Sequence, residues 1–157
     1  MLNKTFIFSL LFIFSFNVSA NQTKTTSGSP LQIKESYIPA APPVVKVMAA
    51  YMTVTNTTNK SVEITSITSN VFGLVEMHET LTNNGMMSMQ LLPTFTLSAK
   101  QTVKFTPGGK HLMLFRRSKN LTQGDKVNIT LHTTAGEVTT QFIVKEADDG
   151  SHHHHNH

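Results

Sequence analysis

Short apolar runs recur along most of the chain and are separated by Asn, Gly, Pro and Lys. The runs are rich in Val, Ile, Thr, Phe and Tyr, which is typical of β-strands. In residues 101–106 the apolar Val103 and Phe105 alternate with polar residues, so one face of that segment would meet a core and the other would meet water. The pattern predicts strands near residues 33–38, 45–55, 61–69, 73–80, 87–92, 101–106, 111–116, 126–133 and 137–144.

The spacing of these runs predicts the fold class. No segment shows the pattern of an amphipathic helix of three turns. Strands that recur about every ten residues favour an antiparallel β-sandwich or barrel. The short Ala135-Gly136 link between two alternating runs predicts a terminal hairpin. We expect one all-β domain over residues 31–146, which is an ordinary domain size of about 100 to 150 residues.

The first twenty residues have the layout of a cleaved secretory signal, with Lys4, an apolar run from Phe6 to Phe16 and a small-residue end at Ala20. The alternative is a membrane anchor, but this run is shorter than the roughly 20 apolar residues that span a bilayer. A lipid anchor on cysteine is excluded, since the chain has no cysteine. The sequence therefore predicts export, cleavage after Ala20 and no stable membrane anchor, followed by a polar, flexible leader over residues 21–30.

The C-terminal residues 147–157 contain acids, Gly-Ser and five histidines and cannot form a core, so they predict a disordered tail. One interpretation is the remnant of a purification tag, although Asn156 interrupts the tract. The other is a metal-gathering tail, which would be a secondary metal site. Its histidines are His152, His153, His154, His155 and His157.

Composition excludes several functions. The 13 Lys and Arg residues exceed the 9 Asp and Glu residues, but apart from Arg116-Arg117 the basic residues are scattered singly and do not form the clustered face of a nucleic-acid binder. The absence of cysteine excludes disulfides, thiol redox chemistry and thiolate metal sites. Any chemistry with a soft metal must therefore use methionine.

Five methionines and two histidines fall between residues 77 and 113: Met77, Met86, Met87, Met89, Met113, His78 and His111. Side chains two residues apart share a face of a strand, so His111 and Met113 would project together. A hairpin after residue 80 would bring His78 and Met89 to the same end of the sheet. The sequence predicts that His78, Met89, His111 and Met113 converge.

Neutral, soft thioethers with imidazoles suit monovalent copper and suit zinc, calcium or magnesium poorly. Each residue taken alone has a plainer interpretation, because a strand methionine usually fills a core and a single histidine usually lies at the surface. The set as a whole predicts a Cu(I) site.

The spacing His78-x10-Met89-x21-His111-x-Met113 resembles the signature of the PCu(A)C-type periplasmic copper chaperones. Residues 49–56 (AAYMTVTN), 75–80 (VEMHET) and 107–115 (PGGKHLMLF) are similar to blocks of that family, and the resemblance covers residues 33–144.

The resemblance implies a cupredoxin-like Greek-key antiparallel β-sandwich with a solvent-accessible Cu(I) site. It implies His78, Met89, His111 and Met113 as ligands, with Met77, Met86 and Met87 at best auxiliary. It also implies delivery of copper towards the CuA centre of cytochrome c oxidase, in some members with thioredoxin-like Sco proteins. Many members have extensions rich in His or Met that bind a second copper, which would be Cu(II) at the His tail here.

The leading hypothesis is a non-enzymatic periplasmic metallochaperone, and four alternatives remain. They are copper storage or resistance, cupredoxin-like electron transfer, an enzyme, and a structural β-sandwich with an incidental metal tail. Blue-copper electron transfer requires a cysteine thiolate, which this chain lacks. No Ser-His-Asp arrangement stands out, and Glu76 and Glu79 are interpreted as an exposed strand edge rather than an acid-base pair.

Overall fold

The computed structural model describes residues 28–147. The predicted signal (1–20), most of the leader (21–30) and all of the tail histidines lie outside the described residues, so these features remain predictions. None of residues 28–147 forms a helix long and apolar enough to cross a bilayer.

All regular elements of the described residues are β-strands. They are β1 (Leu31–Pro39), β2 (Val47–Asn56), β3 (Val62–Ser69), β4 (Phe72–Asn83), β5 (Met86–Leu92), β6 (Phe95–Leu97), β7 (Thr102–Phe105), β8 (Lys110–Arg117), β9 (Lys126–Thr133) and β10 (Gly136–Lys145). Each predicted strand has a counterpart, and the β9–β10 hairpin is present. The prediction missed β6, because three residues are too few to show alternation.

The strands form one sheet in the order β5-β4-β8-β2-β1-β10-β9-β3-β6. A further pairing between β3 and β4 closes it into a barrel, and β7 pairs with β2 beside β8. The prediction of a single all-β domain is confirmed. The antiparallel pattern has one exception among the described strands, since β1 and β10 run parallel. Alternation within a strand does not reveal the direction of its neighbour.

The core lies inside the barrel and is filled by one face of each main strand. On β2, Met48, Ala50 and Met52 are buried at alternate positions, and on β8 Leu112 and Leu114 are fully buried. This alternation leaves His111 and Met113 on the outer face of β8. The core therefore fixes which way the candidate ligands point.

Two turns position the site. Asn84 and Gly85 both have positive φ between β4 and β5, which is the geometry of a tight two-residue hairpin. Gly108 has φ 74° in the turn before β8, where the Thr106 N–H donates to the Lys110 carbonyl (2.8 Å). A residue with a side chain would be strained at Gly108. The turn allows both β7 and β8 to pair with β2 along the same edge.

Candidate metal centre

Three adjacent strands hold the four predicted ligands. His78 lies on β4, Met89 on β5, and His111 and Met113 on β8. β4 is hydrogen-bonded to β5 on one side and to β8 on the other. His78 lies opposite His111 of β8 and opposite Leu91 of β5. Met113 and Met89 are each two residues from these partners, so all four predicted ligands share the outer face of the barrel.

The two imidazoles form a direct cross-strand pair. The ring centroids of His78 and His111 are 6.0 Å apart, and the ring planes are inclined by 28°. Residues directly opposite each other on neighbouring strands have Cβ atoms about 5 Å apart. The two rings are therefore held together by the backbone register rather than by flexible loops.

A hydrogen bond to the turn before β8 determines which ring nitrogen of His111 carries the proton. Its Nδ1–H donates to the carbonyl of Gly109 (2.9 Å), because a carbonyl oxygen can only accept. Nε2 therefore has a free lone pair, which is the form of imidazole that binds metals. The side chain is only 6% exposed, so this orientation is held by its surroundings.

In His78 the proton lies on the other ring nitrogen. Its Nε2–H donates to Oε2 of Glu76 (2.8 Å), which leaves the lone pair on Nδ1. That Nδ1 atom is buried and has no hydrogen-bond partner among the described residues. A buried polar atom without a partner is costly, and a bound cation would satisfy it.

Glu76 was interpreted from sequence as part of an exposed edge, and the structure shows a different role. Its carboxylate is half-buried against His78, while Glu79 contacts Lys110 instead. Glu76 is two residues before His78, and that spacing places both on one face of β4. This spacing is the signal that could have identified Glu76 as the hydrogen-bond partner of the predicted ligand His78.

We expect Glu76→Ala to lower the affinity for Cu(I) by about tenfold, because loss of a partner that orients a metal-binding histidine typically costs 10- to 100-fold. A competition titration against a Cu(I) chelator measures this. Glu79→Ala is the matched control and should leave the affinity unchanged. Equal affinities for the two variants would show that the Glu76 contact does not position His78.

The two predicted sulfur ligands line a cavity of about 210 Å³. Met89, His111 and Met113 all line it, whereas His78 does not line it and adjoins the group through its cross-strand pairing with His111. Ala49 lies opposite Met113 on β2 and also lines the cavity, so a small residue leaves this space open. Met89 is 63% exposed, which makes one side of the cavity accessible from water.

The donor set is soft and uncharged. Residues 28–147 contain no group of three or more His, Cys, Asp or Glu side chains placed to hold a metal ion. The four predicted ligands instead combine two thioethers and one imidazole that line the cavity with a second imidazole, His78, that pairs with His111. Such a set fits Cu(I).

The family model described as "Putative lipoprotein LpqE-like" matches residues 31–144. The chain belongs to the LpqE-like family. This is the PCuAC family, so the resemblance seen in the sequence is confirmed.

Two curated proteins are similar in sequence. "Uncharacterized protein RP573" of Rickettsia prowazekii is 36% identical over 83 residues, which are 52% of this chain and 46% of that protein. The match thus spans about half the length of that relative. "Putative lipoprotein Lxx21020" of Leifsonia xyli subsp. xyli is 29% identical over 119 residues, which are 75% of this chain and 70% of that protein.

Solved PCuAC structures share the fold. The solution structure of CuI-DR1885 from Deinococcus radiodurans has a TM-score of 0.60 and 29% identity, and covers 81% of this chain and 86% of that chain. The copper-bound PCuAC domain from PmoF2 has a TM-score of 0.63 over 75% of this chain and 94% of that chain. Its 24% identity supports likeness of fold alone.

Met77, Met86 and Met87, which match no ligand position of the family signature, differ in exposure in this LpqE-like domain. Met77 is 3% exposed and packs inside the barrel, so it is a core residue. Met87 shares the outer face with Met89 and is 76% exposed, and Met86 is also exposed at the hairpin. Of these three methionines, Met86 and Met87 are therefore accessible to a metal ion and Met77 is not.

Proposed function

We propose that this chain is an exported, non-enzymatic copper chaperone that binds one Cu(I) ion through His78, Met89, His111 and Met113. The observation that supports it most is the imidazole pair of β4 and β8, in which each ring has one nitrogen fixed by a hydrogen bond and the other left free. The Cu(I) form of the Deinococcus relative supports the oxidation state.

Copper is the cargo of this protein, and the chemistry of the site suits its release. Two thioethers and two neutral imidazoles add no negative charge, so the bound ion keeps its full positive charge. A thiolate acceptor offers stronger electrostatic and soft-ligand stabilisation. An incoming thiolate would replace the ligands in turn, and the exposed side chain of Met89 marks the accessible side.

The place of action and the acceptor are further parts of the proposal. The secretory layout of residues 1–20 and the lipoprotein names of the family and of one relative support export, and periplasmic location follows from the family resemblance. The same resemblance supports delivery towards the CuA centre of cytochrome c oxidase, directly or through a Sco protein. His152, His153, His154, His155 and His157 are proposed as a secondary site, which would hold Cu(II).

Removal of residues 148–157 tests the proposal against a metal-binding tail on an otherwise structural barrel. We expect the shortened protein to bind one Cu(I) tightly, because all four proposed ligands remain. Titration of anaerobic Cu(I) with a chelator as competitor measures the stoichiometry, with the full chain as control. Loss of all Cu(I) binding with the tail would show that the barrel site is not a copper site.

A further inference from the structure

A second depression, which we call the basic groove, adjoins the metal cavity on the outer surface of the barrel. Its volume is about 640 Å³. Its lining includes the cations Lys46, Arg116, Arg117 and Lys119 and contains no carboxylate. A concave site with one sign of charge concentrates ligands of the opposite sign.

The groove and the metal cavity share a wall. Val47 lines both, is 38% exposed and pairs with Phe115 across β2 and β8. The next outward-facing pair along the same two strands is Ala49 and Met113, which line the metal cavity. An occupant of the basic groove would therefore lie within one side-chain pair of a proposed copper ligand.

Arg116 and Arg117 are held in place by uncharged acceptors, so their positive charges are not neutralised. Arg116 donates from Nη2 to the carbonyl of Gly73 (3.1 Å). Arg117 donates to the carbonyl of Pro43 (3.1 Å) and to Sδ of Met48 (3.4 Å). These acceptors carry no net charge, and none of the ion pairs found within residues 28–147 involves a groove cation.

Lys119 is the partial exception, because it lies near Asp125. The pKa of Asp125 is lowered mainly by the hydrogen bond from the Thr122 backbone N–H and, to a smaller degree, by the charge of Lys119. Lys46, Arg116 and Arg117 are thus the uncompensated cations of the groove.

The backbone of β8 is irregular where it enters the groove. Consecutive residues of a regular strand point to opposite faces, yet Arg116 and Arg117 both line the groove. Arg116 has φ 55°, a left-handed conformation that residues with a side chain rarely adopt. Strain of this kind is kept where the surrounding structure enforces it, often at functional sites.

We propose that the basic groove is the docking site for an acidic segment of the protein that accepts copper. This inference rests on the copper-donor function proposed above and adds the chemistry of the partner. Four cations favour an anionic occupant, and Val45, Val47 and Phe115 provide apolar contact within the groove. A concave groove continuous with the metal cavity fits a protruding protein segment better than a flat lipid surface. Docking there would place the acceptor's thiolates at Met113.

The test measures copper transfer to two synthetic peptides. Both contain a Cys-x-x-Cys end that binds Cu(I), and they differ only in a flanking run of glutamates or glutamines. The full chain, loaded with Cu(I), is the donor. We expect the glutamate peptide to take copper about tenfold faster than the glutamine peptide at low salt, with the advantage lost at high salt.

Two charge-reversed variants of the copper-loaded chain show which surface causes the preference for the glutamate peptide. Lys46→Glu with Arg116→Glu reverses two exposed groove cations and leaves Arg117 as the anchor of the Pro43 segment. Lys60→Glu with Lys104→Glu is the control, since both lysines are exposed and neither lines the groove or the metal cavity. We expect the groove donor to lose the preference for glutamate and the control donor to keep it. A groove donor that fails to fold is replaced by Lys46→Gln with Arg116→Gln, for which a smaller loss is expected.

The outcomes separate the two proposals. Equal behaviour of the groove and control donors would overturn the docking inference while leaving Cu(I) binding intact. Equal rates with both peptides, together with groove-dependent binding to phosphatidylglycerol vesicles, would overturn it in favour of a lipid surface. Failure of the chain to retain Cu(I) would contradict the proposed function instead. In that case, fluorescence anisotropy of the labelled glutamate peptide without copper still tests the groove, and binding unaffected by groove reversal would overturn the inference.

Discussion

Replacing His111 with alanine is expected to lower the affinity for Cu(I) by about 100-fold or more, since loss of a ligand should cost at least as much as loss of a partner that orients one. His111 provides the free Nε2 lone pair and lies between His78 on β4 and Met113 two residues along its own strand. Its loss removes one nitrogen donor and leaves His78 without its facing ring. A competition titration with a Cu(I) chelator measures the change.

His132→Ala is the matched control for this variant. His132 hydrogen-bonds to Thr68 (2.9 Å) and Glu137 (3.0 Å) on β3 and β10, away from the strands of the metal cavity. Its removal should leave Cu(I) affinity unchanged. A His111 variant that binds copper as tightly as the His132 variant would remove His111 from the ligand set.

Replacing Met113 with leucine is expected to lower Cu(I) affinity by between about tenfold and 100-fold, or roughly 1.4 to 2.8 kcal/mol. The two side chains have similar volume, so the change removes the sulfur atom and largely preserves packing. Thermal unfolding should therefore shift little while copper binding weakens. That combination separates the loss of a ligand from damage to the fold.

Met52→Leu is the matched control, because Met52 is buried in the core on β2 and does not line the metal cavity. It should bind Cu(I) as tightly as the unaltered protein. Equal Cu(I) affinity for the two leucine variants would indicate that the thioether of Met113 does not bind copper.

Alternation within β8 was sufficient to predict the outward direction of two of the candidate ligands. Leu112 and Leu114 are apolar and buried, so His111 and Met113, at the alternate positions of the same strand, face outwards. The Asn84-Gly85 turn was likewise readable, since both residue types tolerate the positive φ it requires. Side-chain direction and turn type depend on residues that are close together in the chain, so both can be predicted from the sequence.

Features that depend on distant partners were not predictable. The parallel pairing of β1 with β10 joins segments about a hundred residues apart, and nothing within either strand specifies its direction. The basic groove is another example, because Lys46 and Arg116 are brought together only by the β2–β8 pairing. The fold therefore adds Lys46 to the three cations that lie close together in residues 116–119.

The core of the barrel also separates two kinds of methionine that composition alone does not distinguish. Met77 and Met89 fall in the same sequence window, but one packs inside the barrel and the other is exposed beside the imidazole pair. The difference arises from the register of β4 against β5 and β8. Composition alone identified the group of candidates, and the register selected among them.

X-ray absorption at the copper edge, recorded on the Cu(I)-loaded protein without residues 148–157, tests the central claim most directly. The account predicts a first coordination shell of two sulfur and two nitrogen neighbours, from Met89, Met113, His78 and His111. A shell of nitrogen and oxygen atoms alone, without sulfur, would contradict it.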